Sequence, residues 1–275
     1  MTDRAAQEAP VNEIDPTGAV ADWWATAVSR MEPGVIELRG RPVQDLIGTT
    51  GLTSMIWLML RGDLPAPRQA ALLDAALVAA VDHGPQAPSI AIARMAATCG
   101  VGLNNAVASA VNTLGDAHGG AGEQCVRLLD DVIRREDAGL DLRTATDRAI
   151  ADGPRYLPGF GHRFHPRDPR RDPLLALVED AVRDGVVPGR HLRAGKAIEA
   201  RLAEGRDRPV PMNIDGATAI IYAELGFPAP LARGLFVLSR SVGILAHAWE
   251  ESQSGRRNKG PVPRAVLPAY VPDRP

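Results

Sequence analysis

Residues 158–170 read Pro-Gly-Phe-Gly-His-Arg-Phe-His-Pro-Arg-Asp-Pro-Arg and lie between apolar segments of the chain. The stretch holds two histidines, three arginines and two glycines, where a plain connector would use Ser, Asn or Lys. Glycines let backbone N–H groups approach a ligand closely, guanidinium groups bind carboxylate or phosphate in a bidentate manner, and histidines move protons near neutral pH. The composition predicts a ligand-binding loop, with a solvated basic turn as the alternative.

A second polar cluster, Gly-Asp-Ala-His-Gly-Gly-Ala-Gly-Glu at residues 115–123, follows the apolar run Ile90–Leu114. His118 thus comes where a predicted helix ends and backbone groups are free, which is a usual place for a functional side chain. The alternative is a turn between helices whose histidine caps a carbonyl group.

A third cluster, Pro-Met-Asn-Ile-Asp-Gly-Ala-Thr at residues 211–218, leads into the apolar segment Ala217–Leu225. Aspartate just before a helix usually serves as its N-cap. Taken alone, Asp215 is therefore interpreted as a helix cap.

Apolar residues recur at spacings of three and four along most of the chain, which predicts helices bounded by glycine and proline. No βαβ rhythm and no GxGxxG motif after a strand are present, which argues against a dinucleotide-binding fold. Val35–Leu38 predicts at most a small hairpin. The fold class is all-α, with further helices predicted at Pro42–Arg61, Pro67–Asp82, Ile90–Leu114, Gly122–Arg135, Leu140–Ile150, Pro173–Asp184, His191–Glu204 and Leu231–Ser252.

Composition narrows the class of protein. With 275 residues and 45% hydrophobic content, the chain can bury a sizeable core, and a net charge of −2 argues against general nucleic-acid binding. No apolar run approaches the roughly 20 residues needed to cross a bilayer without charges, and Met1–Pro16 lacks the pattern of a signal peptide. Cys99 and Cys125 show no metal-binding spacing. We expect buried thiols, no metal, no membrane and a cytoplasmic location.

In this order, the three clusters resemble motifs of the citrate synthase family: His-Gly-Gly-Ala, then Gly-Phe-Gly-His-Arg with Asp-Pro-Arg, then Pro-Asn-Val-Asp. The counterparts here are residues 118–121, 159–163 with 168–170, and 212–215. Residues 38–46, 58–65, 82–83 and 239–247 resemble further segments of that family, so the match extends from about Glu37 to Tyr270. The resemblance implies a compact citrate synthase-like, two-domain helical fold and a homodimer or higher homo-oligomer. It places a large domain at 1–121 and 227–275, a small domain at 122–226, and the three clusters at or near the seam.

The resemblance also implies roles for individual residues. Asp215 matches the carboxylate that moves the proton at carbon, His118 the neutral donor to the enolate oxygen, and His162 the group that handles the ketone or hydroxyl oxygen, accepting the hydroxyl proton during cleavage. The matches to the groups that bind substrate carboxylates are His83, Arg170, Arg240 and, more weakly, Arg264, which in the family reaches the partner subunit's site. Coenzyme A, as the acyl-CoA substrate, is expected along Leu157, Pro158, Gly159, Phe160 and Gly161, with Asn213 nearby.

Other polar residues receive plainer interpretations. His247 lies on an apolar helix face and is interpreted as a core histidine, whereas His165 and His191 are interpreted as surface residues. The basic, glycine-flanked segment Gly255–Gly260 is either a mobile flap over coenzyme A or a simple loop.

The departures from typical citrate synthases favour one branch of the family. The chain is shorter, the interval from His162 to Asp168 is one residue tighter, and the C-terminal arginine segment is reduced to residues 261–265. These features resemble citryl-CoA lyase, the short relative that cleaves citryl-CoA. A short citrate synthase, or a synthase for another acyl-CoA or 2-oxo acid, is the alternative. A non-catalytic subunit that binds coenzyme A or citrate is disfavoured, because binding alone requires no carboxylate base.

Overall fold

The computed structural model describes residues 22–261 and 263–272. The chain divides into two compact units, residues 1–65 and 66–275, each described here by itself. The predicted lack of a leader in Met1–Pro16 concerns residues outside the described ranges. The predicted division into domains 1–121 with 227–275, and 122–226, stays a prediction.

The first unit contains a small sheet and two helices. Strands β1 (Ser29–Glu32), β2 (Val35–Leu38) and β3 (Arg41–Pro42) form an antiparallel sheet in the order β1-β2-β3, with Met31 opposite Ile36. The predicted hairpin is therefore present and gains a third, short strand. Helices α1 (Val43–Leu46) and α2 (Leu52–Arg61) follow.

The second unit is helical. Its elements are α3 (Pro67–Ala80), α4 (Pro88–Thr98), α5 (Leu103–Val111), α6 (Ala121–Asp137), α7 (Leu142–Asp152), α8 (Arg171–Arg183), α9 (Arg190–Ala203), α10 (Ile214–Glu224), α11 (Ala229–Gln253) and a short 3-10 turn at Arg264–Val266.

Two predicted helices are wrong in extent. The predicted helix Pro42–Arg61 is interrupted at residues 47–51, and Ile90–Leu114 is interrupted at residues 99–102. Gly48 (φ 80°) and Gly100 (φ 85°) have left-handed backbone conformations at these breaks. The predictions missed both breaks because the helical spacing of apolar residues continues across them. A glycine in the left-handed conformation commonly ends a helix, and these two glycines were the available signal.

Helices α10 and α11 form the centre of the second unit. Helix α10 packs against α3, α6, α8 and α9, and nearly all of its residues are buried. Helix α11 packs against α3, α4, α5 and α6, and its Ile244 and Ala248 join the apolar core of α4 and α5. The predominance of helix confirms the predicted all-α class.

Among the described residues, α11 alone is long and apolar enough to cross a membrane by length and composition, with 39% of its apolar window buried inside the protein. This is weak evidence for a membrane span, because the core helices of globular proteins meet the same criterion. Its packing on the five helices α3, α4, α5, α6 and α10 is that of a core helix.

The two cysteines differ in their surroundings. Cys125 is buried, and burial raises the pKa of its thiol. Cys99 is exposed, so the expectation that both thiols are buried is wrong for this residue. Cys99 lies in the interruption after α4, where the chain leaves the helix and the core.

Candidate active site

A cavity of about 120 Å³ brings six of the predicted site residues together in the second unit. The full lining comprises Ala80, His83, His118, Gly119, His162, Arg170, Ile214, Asp215, Phe236 and Arg240.

His118 is neutral, with its proton on Nδ1. The backbone N–H of Ser89, in the first turn of α4, donates to His118 Nε2 at 3.1 Å, and the Ser89 hydroxyl lies 3.0 Å from the same nitrogen. A ring nitrogen that accepts an N–H carries no proton, so Nδ1–H remains as the donor for a ligand. Burial, followed by the nearby Arg240 guanidinium, lowers the pKa of His118. His118 is thus a neutral hydrogen-bond donor.

His162 has the opposite tautomer. Its Nδ1 accepts the backbone N–H groups of Phe164 and His165, both at 3.0 Å, which places the proton of the neutral ring on Nε2. Burial lowers the pKa of His162; Asp168 opposes this shift, while His165 and Arg170 add to it. The geometry therefore favours donation of a hydrogen bond from Nε2.

Asn213 is the N-cap of α10, so the interpretation of Asp215 as the cap is wrong. The Asn213 side-chain oxygen accepts the backbone N–H groups of Asp215 and Gly216, at 2.9 and 3.2 Å. The N-cap is the residue just before the first helical residue, Ile214, and its side chain accepts the free N–H groups of the first turn. Asn213 has this position, whereas Asp215 lies one residue inside the helix. No described residue donates a hydrogen bond to the Asp215 carboxylate.

The electrostatics of Asp215 are those of a carboxyl group poised to exchange a proton. Burial raises the pKa of Asp215, while Arg240 and Arg170 partly oppose the shift. A carboxyl group in a cavity with a raised pKa is a candidate general acid or base.

Asp168 positions both Arg170 and the start of α10. Its carboxylate accepts Arg170 Nε and Nη2, each at 2.9 Å, and the backbone N–H of Ile214 at 3.1 Å. Burial alone would raise the pKa of Asp168, but the hydrogen bonds from Arg170 and Ile214 hold it at about 2. Asp168 stays ionised and orients the Arg170 guanidinium in the cavity wall.

Arg240 and His83 complete the polar wall. Arg240 is buried, donates from Nε to the carbonyl oxygen of Ala80 at 3.1 Å, and lies over the Phe236 ring at 4.8 Å from its centroid. Burial, followed by Arg170 and Arg240, lowers the pKa of His83, whose ring meets His162 edge to face at 5.4 Å between centroids. The cavity thus combines two guanidinium groups with neutral imidazoles, a set that suits a substrate with carboxylate groups.

The segment predicted to bind coenzyme A, residues 157–161, forms backbone hydrogen bonds with residues 211–213, which lead into α10. Gly161 N–H donates to Pro211 O at 2.7 Å, and Asn213 N–H donates to Gly159 O at 2.9 Å. A Cβ on Gly159 (φ 85°) would lie 2.6 Å from Cys125 Sγ, and one on Gly216 would lie 2.5 Å from Gly159 O. Only glycines permit this approach, which joins the loop after α7 to the base of α10.

Three larger cavities include other predicted residues or border the small one. A cavity of about 510 Å³ shares His83, His118 and His162 with it and continues past Pro88 and Arg163. A separate cavity of about 560 Å³ includes Leu157 and Phe160 in its lining. Pro158 lines a further cavity of about 460 Å³.

The structure does not bring every predicted residue to the site. Arg264 is exposed, begins a 3-10 turn and lies outside the lining of the described cavities. Gly255–Gly260 lies against the end of α4, where Thr98 accepts the backbone N–H groups of Asn258 and Lys259.

The remaining histidines are only partly as predicted. His165 is exposed, as expected. His191 and His247 each have a side chain 19% exposed and a carboxylate neighbour, so His191 is not a free surface residue and His247 is not an apolar core residue. A helical apolar pattern does not reveal a carboxylate that approaches from another element.

Two functional residues were missed by the sequence patterns. Ser89 selects the tautomer of His118, and Asp168 orients Arg170. The Asp-Pro-Arg motif already contained Asp168, so the proximity of a carboxylate to an arginine at i+2 was the available signal. Nothing local marked Ser89, because its contact joins positions 29 residues apart. Within the described ranges, no group of three or more His, Cys, Asp or Glu residues could hold a metal ion.

Chemically, the site can stabilise charge on an oxygen and move a proton at a neighbouring carbon. Two neutral imidazole donors face a substrate from different elements, a carboxyl group with a raised pKa lies beside them, and two guanidinium groups supply positive charge. Donors that are oriented before the reaction stabilise an oxyanion without reorganisation.

Comparison of sequences gives a consistent set of relatives. A family model described as "Citrate synthase, C-terminal domain" matches residues 59–261. The citrate synthase of Haloferax volcanii is 32% identical over 200 residues, which cover 72% of this chain and 51% of that protein. Putative citrate synthase 2 of Mycobacterium tuberculosis is 31% identical over 212 residues, covering 73% of this chain and 54% of that protein. The chain spans about half the length of these relatives.

Comparison of structures extends further along the chain. The citryl-CoA lyase of Hydrogenobacter thermophilus superposes with a TM-score of 0.80 at 29% identity, covering 92% of this chain and 96% of that chain. The citrate synthase of Thermoplasma acidophilum, solved with carboxymethyl coenzyme A and oxaloacetate, gives 0.66 at 21% identity over 82% of this chain and 60% of that one. These matches confirm the predicted fold.

Proposed function

We propose that this chain, which belongs to the citrate synthase family, is a citryl-CoA lyase that cleaves citryl-CoA into acetyl-CoA and oxaloacetate. The observation that carries the proposal is the meeting of Asp215, His118 and His162 in one small cavity with Arg170 and Arg240. The lyase is favoured over a synthase because similarity to the Hydrogenobacter lyase extends over nearly the whole of both chains.

The proposed reaction breaks the bond between the carbinol carbon and the α-carbon of the thioester. The electron pair of that bond moves onto the thioester oxygen, where His118 Nδ1–H stabilises the resulting enolate. The hydroxyl oxygen becomes the ketone oxygen of oxaloacetate as its proton passes to the ionised carboxylate of Asp215, while His162 Nε2–H donates a hydrogen bond to that oxygen. Protonated Asp215 then delivers a proton to the α-carbon, which completes acetyl-CoA.

The tautomer of His162 argues against the expected transfer of the hydroxyl proton to this ring. Nε2 already carries a proton, and Nδ1 accepts the N–H groups of Phe164 and His165, so the neutral ring has no free site for a second proton. His162 therefore acts as a hydrogen-bond donor to the hydroxyl or ketone oxygen. In the condensation direction Asp215 takes the methyl proton and passes it to the new hydroxyl oxygen, so both directions begin with ionised Asp215 and neutral His162.

Substrate recognition follows from charge and space. Citryl-CoA carries two free carboxylates, and the cavity presents two guanidinium groups, Arg170 and Arg240, with neutral His83 as a further contact. The small cavity lined by these groups suits a small dicarboxylic acid. The larger cavity that shares the three histidines offers an approach for the thioester arm of coenzyme A.

Two further parts of the proposal concern coenzyme A and the partner subunit. Coenzyme A would lie along Leu157–Gly161, beside Asn213. Arg264 would reach the site of a second copy, since it is exposed and lines none of the described cavities, and this requires a homodimer.

Citrate synthase activity is the second candidate, because relatives at 31–32% identity bear that name. It differs from the lyase in hydrolysing the citryl-CoA intermediate. A non-catalytic subunit would need no proton-transferring group, and the raised pKa of Asp215 in the cavity argues against it.

Two parallel assays test the proposal. In the first, citryl-CoA is supplied and oxaloacetate formation is followed by its reduction with a coupling dehydrogenase. In the second, acetyl-CoA and oxaloacetate are supplied and free thiol is measured. We expect rapid cleavage in the first assay and negligible release of free coenzyme A in the second.

Stoichiometric release of coenzyme A in the second assay would establish the synthase instead. Absence of turnover in both assays, together with retained binding of coenzyme A or citrate by calorimetry, would establish a binding subunit. The Asp215→Asn variant serves as the blank for both assays, since it preserves the Asn213 cap.

A further inference from the structure

The turn that carries His83 is seated directly on helix α11. A Cβ on Gly243 would lie 2.2 Å from Val81 O, so only glycine lets the helix and the turn approach this closely. One helical turn further along α11, His247 Nε2 lies 3.2 Å from Asp82 Oδ1. Asp82 directly precedes His83, and its other oxygen accepts the backbone N–H of Gly84 at 3.1 Å.

The orientation of His247 follows from its second neighbour. Arg94 Nη1 lies 2.9 Å from His247 Nδ1, and a guanidinium group can only donate. Nδ1 is therefore the acceptor, and the proton of the neutral ring is on Nε2, facing Asp82. Asp82 Oδ1 is buried and has no hydrogen-bond partner of good geometry among the described residues, which makes this histidine its principal polar neighbour.

Acidic residues of α11 hold Arg94 in turn. Arg94 pairs with Glu250 through Nη1 and with the buried Glu251 through Nη2, both at 2.5 Å. Lys259 Nζ lies 3.3 Å from the Glu251 carboxylate, which brings the segment after α11 into the same network. A network of five side chains thus connects the C-terminal end of α11 to Asp82, the residue beside His83: His247, Arg94, Glu250, Glu251 and Lys259.

We propose that His247 is a positioning residue for substrate binding: through Asp82 it holds the turn that presents His83 to the cavity. The inference rests on the proposed function for the role of His83 as a contact of the substrate carboxylate. A leucine at 247 leaves both Asp82 Oδ1 and Arg94 Nη1 without this partner. The turn then loses its polar anchor, although the apolar packing of α11 on α4 and α5 stays in place.

Binding of oxaloacetate, measured by isothermal titration calorimetry, tests the inference. We expect His247→Leu to weaken binding about tenfold, the size of effect typical for coupling through a packed polar network. His247→Gln should restore most of the affinity, because its amide nitrogen can donate to Asp82 and its oxygen can accept from Arg94. His191→Leu is the matched control, since His191 is equally exposed and also paired with carboxylates, away from the cavity.

A merely structural role would give a different pattern. His247→Leu would then lower the melting temperature while the folded protein kept its affinity, and its effect would add to that of His83→Ala. If His247 acts through His83, the double variant binds no more weakly than His83→Ala alone. Unchanged affinity in His247→Leu, or full additivity, overturns the inference.

A second measurement needs no ligand and separates this inference from the proposed function. The ring NMR signal of His83 in the unliganded protein should shift or broaden in His247→Leu and return in His247→Gln. Failure of the wild-type protein to bind oxaloacetate would refute the proposed substrate. An unaltered His83 signal in His247→Leu would refute the positioning role, whatever the substrate is.

Discussion

The side-chain oxygen of Asn213 accepts the backbone N–H of Asp215 at 2.9 Å, so the residue two positions before the carboxylate caps the helix. Because Asn213 caps the helix, the Asp215 carboxylate is not needed to satisfy the N–H groups at the helix start. This also makes substitution of Asp215 a clean test of its chemistry, because the cap survives the change.

We expect Asp215→Asn to lose about 10²–10⁴-fold in turnover, the usual effect of removing a positioned acid–base group. Its melting temperature should stay the same or rise at pH 7, because the raised pKa of Asp215 means that the fold favours the neutral form. Asp141→Asn is the matched control, since Asp141 is an exposed N-cap of α7 and Asn caps equally well. Near-normal turnover of folded Asp215→Asn would refute its proposed role.

His118 and His162, the two histidines proposed to be catalytic, should carry their protons on different nitrogens. Long-range ¹H–¹⁵N NMR spectra at pH 7 should show His118 as the Nδ1–H tautomer and His162 as the Nε2–H tautomer, because backbone N–H groups donate to the other nitrogen of each ring. The exposed His165 provides the reference spectrum of a ring that no backbone N–H group fixes in one tautomer. An Nε2–H tautomer for His118 would contradict the assignment of Nδ1–H as the donor to the enolate.

Asp168→Asn should destabilise the protein by about 2 kcal/mol at pH 7, because its pKa of about 2 lies well below the unfolded value of about 3.9. The depressed pKa means that this contribution is present above about pH 4 and is lost as the pH falls through about 2. Chemical denaturation of both proteins at several pH values measures it.

Asp172→Asn is the control for Asp168→Asn. The pKa of Asp172 is also held at about 2, by Arg167 and Arg171, but its side chain is half exposed. Solvent screening should reduce its contribution to less than about 1 kcal/mol. Asp168→Asn should also weaken oxaloacetate binding, since Arg170 loses the carboxylate that orients it, and equal effects of the two variants would contradict this account.

The pH profile should reflect the shifted pKa values of the cavity. His83, His118 and His162 have lowered pKa values, so all three stay mostly neutral as the pH is lowered from 8 to the ordinary histidine pKa of about 6.5. We expect kcat/KM to be level over this range and to fall only at lower pH, as these histidines and Asp215 gain protons. Cleavage and condensation should share the profile, because both use the same number of bound protons.

A decline centred at pH 6.5 or above would contradict this expectation, and the Asp215→Asn variant's residual profile would show whether a histidine or Asp215 causes it. The measurement follows initial rates of cleavage at subsaturating citryl-CoA across the range, with melting temperatures recorded at each pH to separate inactivation from unfolding.

Local patterns of sequence were sufficient to predict most of the helices and most of the residues of the candidate site. Spacing of apolar residues predicted the helices, since each helix must bury one face, and three polar clusters in a given order predicted both the family and the residues that meet in the cavity. Errors arose where the local signal was ambiguous. Gly48 and Gly100 ended helices that apolar spacing alone continued, and Asn213 took the capping role assigned to Asp215.

Long-range contacts account for what the patterns missed. Ser89 selects the tautomer of His118 across 29 positions, and His247 reaches Asp82 from another helix. The choice of which ring nitrogen carries a proton, and the direction of each pKa shift, depend on donors, charges and burial supplied by distant segments. These neighbours come together only when α4, α10 and α11 pack against each other. Contacts between residues that are distant in sequence produce no periodic pattern along the chain, so local patterns could not predict them.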